Sequence, residues 1–552
     1  MLAWQLFGAG FDKFGQAGAP SRIPVPACGD EQVLMKVEAI GLCFSDVKLI
    51  KAGEQHPRVV VKDLQKEPLT PGHEAVLKVV TVGKKLRDKF KIGQRYIIQA
   101  EIYVKGVNLA YGYALQGGMA QYSLMTSEIL AGDAGCYLLP IAEHLSAAEA
   151  ALIEPWTCVI AAYRITRRAA FKPGGLLRVV GDGQPADKRC GALLGARSMP
   201  GRIIMQNVAG PLKAELLSLA ATHKLPVQET AADGDLADDF ILVGRHAKED
   251  VERYASQLAV GGTLCLAGDF AGCVVPVDVG RVHYKAWNYV GTPGKDLAEA
   301  YARNQRSTLR HGGVAWFPGG AGAMGQMHVQ LALEGAQTPR KVVVTDLDDV
   351  RLHKLHERLA SKIRAKGVEY VAFNPKTCAS QAAVHERLRT EAPNGFDDIV
   401  MLVPVPALIG EYARFLAKDG AMNIFAGVPV GSMATLDLGK VAADGQRYIG
   451  SSGSSMDDIR DTLKMTETGQ LSPVYALGAI SGMQALKEGL EGVASARFPG
   501  KTVVYPHAVD LPLIAVEDVD TVCAGASKTL TEGNVYTKAT EELLRAKWEG
   551  DF

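Results

Sequence analysis

Residues 312–335 read GGVAWFPGGAGAMGQMHVQLALEG. A short apolar run without a polar face is followed by a glycine loop. A segment with apolar residues at spacings of three and four comes next. Strand, loop and helix in that order open a βαβ unit of a parallel sheet. The loop holds a complete G-x-G-x-x-G, Gly320-Ala321-Gly322-Ala323-Met324-Gly325. Glycine serves the tight turn, the approach of backbone to a pyrophosphate, and the packing of helix on strand. The helix start then presents unpaired N–H groups to the phosphates. The next apolar run, KVVVT, leads to Asp346, 21 residues beyond Gly325. A carboxylate there accepts bonds from the adenosine ribose hydroxyls and repels a 2′-phosphate. Gly320, Gly322, Ala323, Met324, Gly325 and Asp346 therefore predict an NAD(H) site.

Working outward, the same cycle occurs once before. LLRVVG, RIIMQNV, DFILVG and TLCLAG alternate with helix-like KAELLSLAATHK and EDVERYASQLA. Gly181-Asp182-Gly183 falls on Gly320-Ala321-Gly322 at an offset of 139, which also puts Asn207 on Asp346. From Asp238 on Asp397 to Gly291 on Gly450 the offset is 159, read without gaps. The pattern predicts a duplicated Rossmann-type lobe. The two copies differ chemically. In the first, Asp182 places a carboxylate near the pyrophosphate position, Pro185 removes a donor, Ala186 stands for the third glycine and Asn207 for the ribose-binding acid. That copy is expected to have lost dinucleotide binding and to serve packing or oligomerisation, with binding of some other ligand as the alternative.

The whole chain has 552 residues and a mass of 58.9 kDa, with 60 Lys+Arg balanced by 60 Asp+Glu. A net charge of zero argues against a nucleic-acid or anionic-membrane partner. No run reaches the roughly 18–20 apolar residues of a membrane span. The opening MLAWQLFGAGFDKF lacks the pattern of a secretory signal. Nine scattered cysteines point to reduced thiols and a cytoplasmic setting.

Residues 1–170 read as β-rich, from runs such as VLMKVEAI, HEAVLKVVTVG and QRYIIQA, and end in an Ala-rich helical stretch. Three segments there carry chemistry: Gly41-Leu42-Cys43-Phe44-Ser45-Asp46, Pro71-Gly72-His73-Glu74 and Glu154-Pro155. A thiolate, an imidazole and a carboxylate from separate segments suit a catalytic zinc with an open position. Taken singly, each has an ordinary structural reading.

GLCFSD, PGHEAVLKVVTVG, KIGQRY, GGMAQY and IEPWTC, in that order, resemble the catalytic domain of the zinc-dependent medium-chain dehydrogenase/reductase family. FPGKTVVYP resembles the strand by which that family's chain returns to its catalytic domain. The Glu-Pro form of the third ligand site is similar to the polyol and sugar branch. Several stretches, FDDIVMLVPVPALI among them, resemble sorbose-1-phosphate reductase-type proteins. The resemblance, which covers about residues 25–170 and 312–510, and the internal repeat together imply an α/β fold: a GroES-like catalytic domain over 1–170, a degenerate Rossmann-like domain over 171–311, an NAD-binding Rossmann domain over 312–480, and a C-terminal return over 481–552. The extra copy departs from the family's usual two-domain pattern, and glycine and acid chemistry favour the later copy as the one that closes over the zinc. The resemblance implies zinc held by Cys43, His73 and Glu154, with Glu74 a ligand or near-ligand exchanging with water, Ser45 relaying the substrate proton and Asp46 bracing a ligand. Cys158 is a rival to Glu154. Residues 95–135 contain no cysteine, so no structural zinc is expected beside the catalytic one.

The activity so implied is NAD-dependent hydride transfer at a secondary alcohol or ketone of a polyol, sugar or sugar phosphate, by a dimer or tetramer. A zinc-free quinone-reductase-like oxidoreductase and a non-catalytic NAD-binding scaffold are the alternatives. Glu101, Asn108, Tyr111, Tyr113 and Gln116 are pocket candidates, and so are Phe44, Trp156 and Lys48; each has a structural reading beside the functional one.

Overall fold

A computed structural model describes residues 1–549 apart from 196, 233 and 304. The run that opens the glycine loop is a strand, Val314–Pro318, buried at every position, and the helix that follows is Ala323–Glu334. This strand lies between Lys341–Thr345 and Phe396–Met401 in a six-stranded parallel sheet, flanked by Glu369–Phe373 on one side and by Leu416–Ile424 and Arg447–Ile449 on the other. The first and fourth strands in chain order are neighbours at its centre. Ligands of such sheets bind beyond the strand ends at that switch point.

The earlier copy has the same strand order: Val227–Gln228, Arg202–Gln206, Leu176–Gly181, Ala237–Val243, Leu258–Ala267, Asn288–Gly291. Pairing registers correct the sequence alignment by single residues. Leu177 pairs with Asp239 as Ala315 pairs with Asp398, so the first strands correspond at 138 and Gly181 matches Gly319. Asp239 pairs with Thr263 as Asp398 pairs with Ala421, so the fourth strands keep 159 while the fifth correspond at 158. The second strands keep 139, and Asn207 still matches Asp346.

The loop after Gly181 leads into no α-helix; a 3₁₀ turn at Gly191–Leu193 is the only helical element before Arg202 among the described residues. Asp182 itself accepts bonds from the backbone N–H groups of Gln184, at 3.0 Å, and Arg245, at 2.9 Å. The Asp182 carboxylate thus takes up one of the loop's own donors and one from the segment after the neighbouring strand Ala237–Val243.

The rest of the chain builds an eight-stranded sheet around Val33–Leu42, with Glu74–Val82 on one side and Lys501–Tyr505 on the other. Residues 477–482 join this sheet, so the chain returns to its first unit with two adjacent parallel strands. The helix Ile153–Ala162 leaves it and packs against Met456–Glu467 and Ala323–Glu334 of the later lobe. The two lobes are joined by antiparallel strands, Val274–Asp278 on Met433–Asp437. Among the described residues no helix is long and apolar enough to cross a membrane.

Candidate active site

Cys43 stands where the strand Val33–Leu42 gives way to the helix Phe44–Ala52. The Asp46 carboxylate fixes that junction. Its Oδ2 accepts from the Cys43 backbone N–H at 3.0 Å, and its Oδ1 lies 3.2 Å from Nδ1 of His73. Asp46 is fully buried, so one carboxylate orients a thiol and an imidazole together. A carboxylate can only accept, so His73 carries its proton on Nδ1 and turns Nε2 outward. Burial works to lower the His73 pKa, but Tyr113, Asp46 and Cys43 together hold it well above its usual value. The surroundings therefore favour positive charge at this point.

Glu74 pairs with Gly41 across the sheet. Its Oε1 accepts from Nζ of Lys501 at 2.5 Å, and its Oε2 is buried without a hydrogen-bond partner. The sulfur, a ring nitrogen and a carboxylate oxygen of Cys43, His73 and Glu74 lie within 4.8 Å of one another. Buried polar atoms are rarely left unpaired. An orphan carboxylate oxygen beside a thiol and an imidazole is the donor set a divalent cation such as zinc requires.

Glu154 lies outside that tight group but borders the same cavity, as does Cys158 one helical turn on. Burial, then the neighbouring Glu74, pushes the Glu154 carboxyl up to about 7 against the opposing pull of His73. Burial and Glu154 push the Cys158 thiol well above its ordinary range, which disfavours a thiolate there. Ser45 Oγ sits 2.9 Å from the Cys43 sulfur and faces the same space of about 450 Å³.

A second cavity, of about 280 Å³, is walled by Leu42, Cys43 and Phe44 on one side and by Gly322, Met324 and Gly325 on the other. Cys43, Met324 and Phe425 border both cavities, so the two adjoin. A Cβ on Gly325 would stand 2.6 Å from the Gly319 carbonyl, whereas one on Gly322 would meet nothing nearer than 3.4 Å. Gly325 is there for packing, and Gly322 leaves the cleft open. Asp346 follows its strand into a buried position and accepts from Nη2 of Arg351 at 2.8 Å. Burial raises its carboxyl pKa, with Arg351 opposing.

The pocket candidates divide. Glu101 and Tyr113 border the catalytic cavity, and Glu101 is paired with Arg58 at 2.6 Å. Asn108 donates to Glu101 and borders the neighbouring cavity. Tyr111 is a correction: it is wholly buried and bonded to Ser123 at 2.8 Å, as core. Gln116 is another, since it ties down the Pro68–Thr70 turn. Trp156 is fully buried in the core rather than narrowing the pocket, while Phe44 is half exposed beside the cofactor cleft and Lys48 lies at the cavity rim.

Residues 29–132 match the alcohol dehydrogenase GroES-like domain. The chain is similar to the uncharacterized protein YggP of Escherichia coli, 24% identical over 90% of this chain and 84% of that one. It is 21% identical to mannitol-1-phosphate 5-dehydrogenase of Aliivibrio fischeri, over 90% and 85%. L-sorbose 1-phosphate reductase of Klebsiella pneumoniae is 28% identical over 58% and 84%. Together these likenesses support this chain as a member of the medium-chain dehydrogenase/reductase family. Its fold is also that of 2R,3R-butanediol dehydrogenase from Bacillus subtilis, with a TM-score of 0.53 at 14% identity over 92% of this chain and 99% of that one. The alcohol dehydrogenase of Aeropyrum pernix matches with a TM-score of 0.51 at 13% identity, over 92% and 100%.

Lys501, Arg351 and Arg58 belong to the site but to none of the motifs singled out in the sequence. Lys501 carries a signal, a lone cation inside the apolar strand KTVVY, where burial demands a carboxylate partner.

Proposed function

We propose that this chain is a zinc-dependent oxidoreductase moving hydride between NAD(H) and a secondary alcohol or ketone of a polyol, sugar or sugar phosphate. The observation that carries this reading is the adjoining of two cavities at Cys43 and Met324. One is bordered by the cation-fitting donors, the other by the intact glycine loop. The names of two relatives, a hexitol-phosphate dehydrogenase and a ketose-phosphate reductase, support the substrate class.

Cys43, His73 and Glu74 would hold the zinc, with Glu154 the further carboxylate of the pocket. When bound, zinc lowers the pKa of an alcohol oxygen and NAD(H) exchanges hydride. The chain's own groups do the rest. Asp46 holds His73 and the Cys43 backbone in place. Ser45 Oγ takes the alcohol proton toward solvent, and Glu154, with a carboxyl pKa of about 7, holds or releases a proton near neutrality. Met324 and Phe425, which border both cavities, would flank the nicotinamide and exclude water. Asp346, positioned by Arg351, would accept from the ribose hydroxyls. The earlier lobe binds no dinucleotide in this reading, because Asp182 sets a carboxylate in the loop, bonded to the Gln184 and Arg245 N–H groups, and among the described residues no α-helix starts between Gly181 and Arg202. A zinc-free reading leaves the buried Glu74 Oε2 without any partner.

The test is a screen of polyols and sugar phosphates for NAD⁺ reduction, with metal analysis, for the wild type and His73→Ala. One zinc per chain and a loss of a thousandfold or more in turnover are expected. Wild-type turnover by the variant overturns the assignment.

A further inference from the structure

The two lobes meet about a pseudo-two-fold axis, and the contacts repeat in matched pairs. In the joining strands Val274 pairs with Asp437 and Asp278 with Met433, centred on Pro276 opposite Thr435; at the offset of 159 these pairs exchange into one another. The Val279 N–H donates to Ser432 O at 3.0 Å, and its counterpart Leu438 donates to Cys273 O at 2.9 Å. A Cβ on Gly280 would lie 2.2 Å from Pro429 O, and one on Gly439 would lie 2.2 Å from Phe270 O. Gly450 sits under the Cα of His283, and Gly291 under the Cα of Ala442. Each lobe thus presses the same short helix, Val279–Tyr284 or Leu438–Asp444, onto the other lobe's last strand. This is the self-complementary geometry of a two-fold interface between identical subunits, held within one chain.

The symmetry breaks in chemistry where the interface helix reaches the cavity. Where the later lobe has Ala442-Ala443, the earlier lobe has His283-Tyr284. Those two side chains reach the catalytic cavity, which they border together with His73, Glu154 and Arg58. His283 is buried, and its Nδ1 lies 2.9 Å from the carbonyl of Ile424. A carbonyl only accepts, so Nδ1 carries the proton and Nε2 remains an acceptor. A Cβ on Gly427 would stand 3.1 Å from that Nε2 and 2.4 Å from the Tyr284 hydroxyl, so both polar atoms meet at the loop bordering the cavity. The Tyr284 ring stacks edge-on against His283 at 4.4 Å and is 43% exposed.

We propose that the degenerate lobe is a built-in partner, and that His283 and Tyr284 on its interface helix select the substrate by binding hydroxyls of a polyol chain remote from the reacting carbon. The proposal rests on the dehydrogenase reading above and gives the lobe without a dinucleotide site a direct part in it. An acceptor nitrogen and a phenol hydroxyl are the complement of a vicinal diol. A selectivity contact of this kind acts on binding and leaves the hydride step itself alone.

The test compares the wild type with Tyr284→Ala, which trims a half-exposed ring, and with His283→Ala/Tyr284→Ala, which restores the residues of the later lobe. Hexitols and hexitol phosphates, a tetritol and 2,3-butanediol are the substrates, with the matching ketoses and ketose phosphates read in the reverse direction. The KM for the hexitol or hexitol phosphate that the wild type turns over best should rise about tenfold in Tyr284→Ala and further in the double variant. The KM for 2,3-butanediol, kcat, zinc content and NADH affinity should stay within about twofold. Equal KM values for wild type and variants across the panel overturn the proposal alone. A wild type that turns over no member of the panel removes the dehydrogenase reading, and the proposal with it. A parallel loss for long and short substrates, with a lowered melting point, assigns the pair a packing role and also overturns it.

Discussion

Lys501→Met probes whether a cation reaches Glu74. Lys501 and Glu74 are 4% and 0% exposed, and their charged atoms are 2.5 Å apart. The substitution keeps most of the side-chain volume and removes the charge. Breaking a buried pair by deleting one partner leaves an uncompensated charge and costs about 3–5 kcal/mol. For a folding unit of this size, at about 2–4 °C per kcal/mol, that is a drop on the order of 10 °C in the first unfolding midpoint. The second oxygen of Glu74 has no protein partner, so a divalent ion placed there would supply the missing positive charge. The drop should therefore be full in protein stripped with a chelator and at least halved after zinc is restored. Scanning calorimetry on wild type and variant, each stripped and reloaded at one scan rate, reads this directly. The same drop with and without zinc refutes the reasoning, because it means that no cation lies against Glu74.

Gly322→Asp should keep the fold, since an added Cβ meets nothing nearer than 3.4 Å. A carboxylate about 4 Å from a phosphate costs on the order of 4 kcal/mol at an effective dielectric of 20, so NADH should bind about a thousandfold more weakly by fluorescence titration. Unchanged affinity moves the dinucleotide elsewhere. Gly41→Ala should lower zinc content several-fold with the chain still folded, because its Cβ would fall 2.1 Å from Glu74 Oε2; full zinc occupancy by metal analysis counts against Glu74 as a ligand. Burial, then Glu541, pushes the Glu149 carboxyl up to about 7. The folded state therefore holds a proton that the unfolded state releases above its ordinary pKa, and this stability is present at low pH and lost as pH rises through about 7. Denaturation midpoints from pH 5 to 8 should show Glu149→Gln gaining on the wild type by up to about 3 kcal/mol at the alkaline end, and a constant difference contradicts it.

The later lobe was legible because its loop needs glycine for reasons that hold in any context, as at Gly325 against the Gly319 carbonyl. The duplication was legible as a pattern of strands, but single-residue slips at the first and fifth strands show only in the pairing registers. Cys43, His73 and Glu74 could be named because each sits in a short motif beside a strand end. Lys501 could not be paired with Glu74, since the partners are 427 residues apart and meet only when the return strand docks. Tyr111 and Trp156 misled because an aromatic residue beside a functional segment reads alike whether it faces a cavity or the core. His283 and Tyr284 carried no local signal; only the pseudo-symmetric packing sets them against Ala442 and Ala443.

The most direct measurement is anomalous diffraction above and below the zinc edge from crystals grown with NADH. The account requires a zinc peak between the Cys43 sulfur, a His73 nitrogen and a Glu74 oxygen, with the nicotinamide ring beside it and the pyrophosphate on the 320–325 loop. Density for the dinucleotide on the 181–186 loop, or no anomalous peak at Cys43, would contradict it.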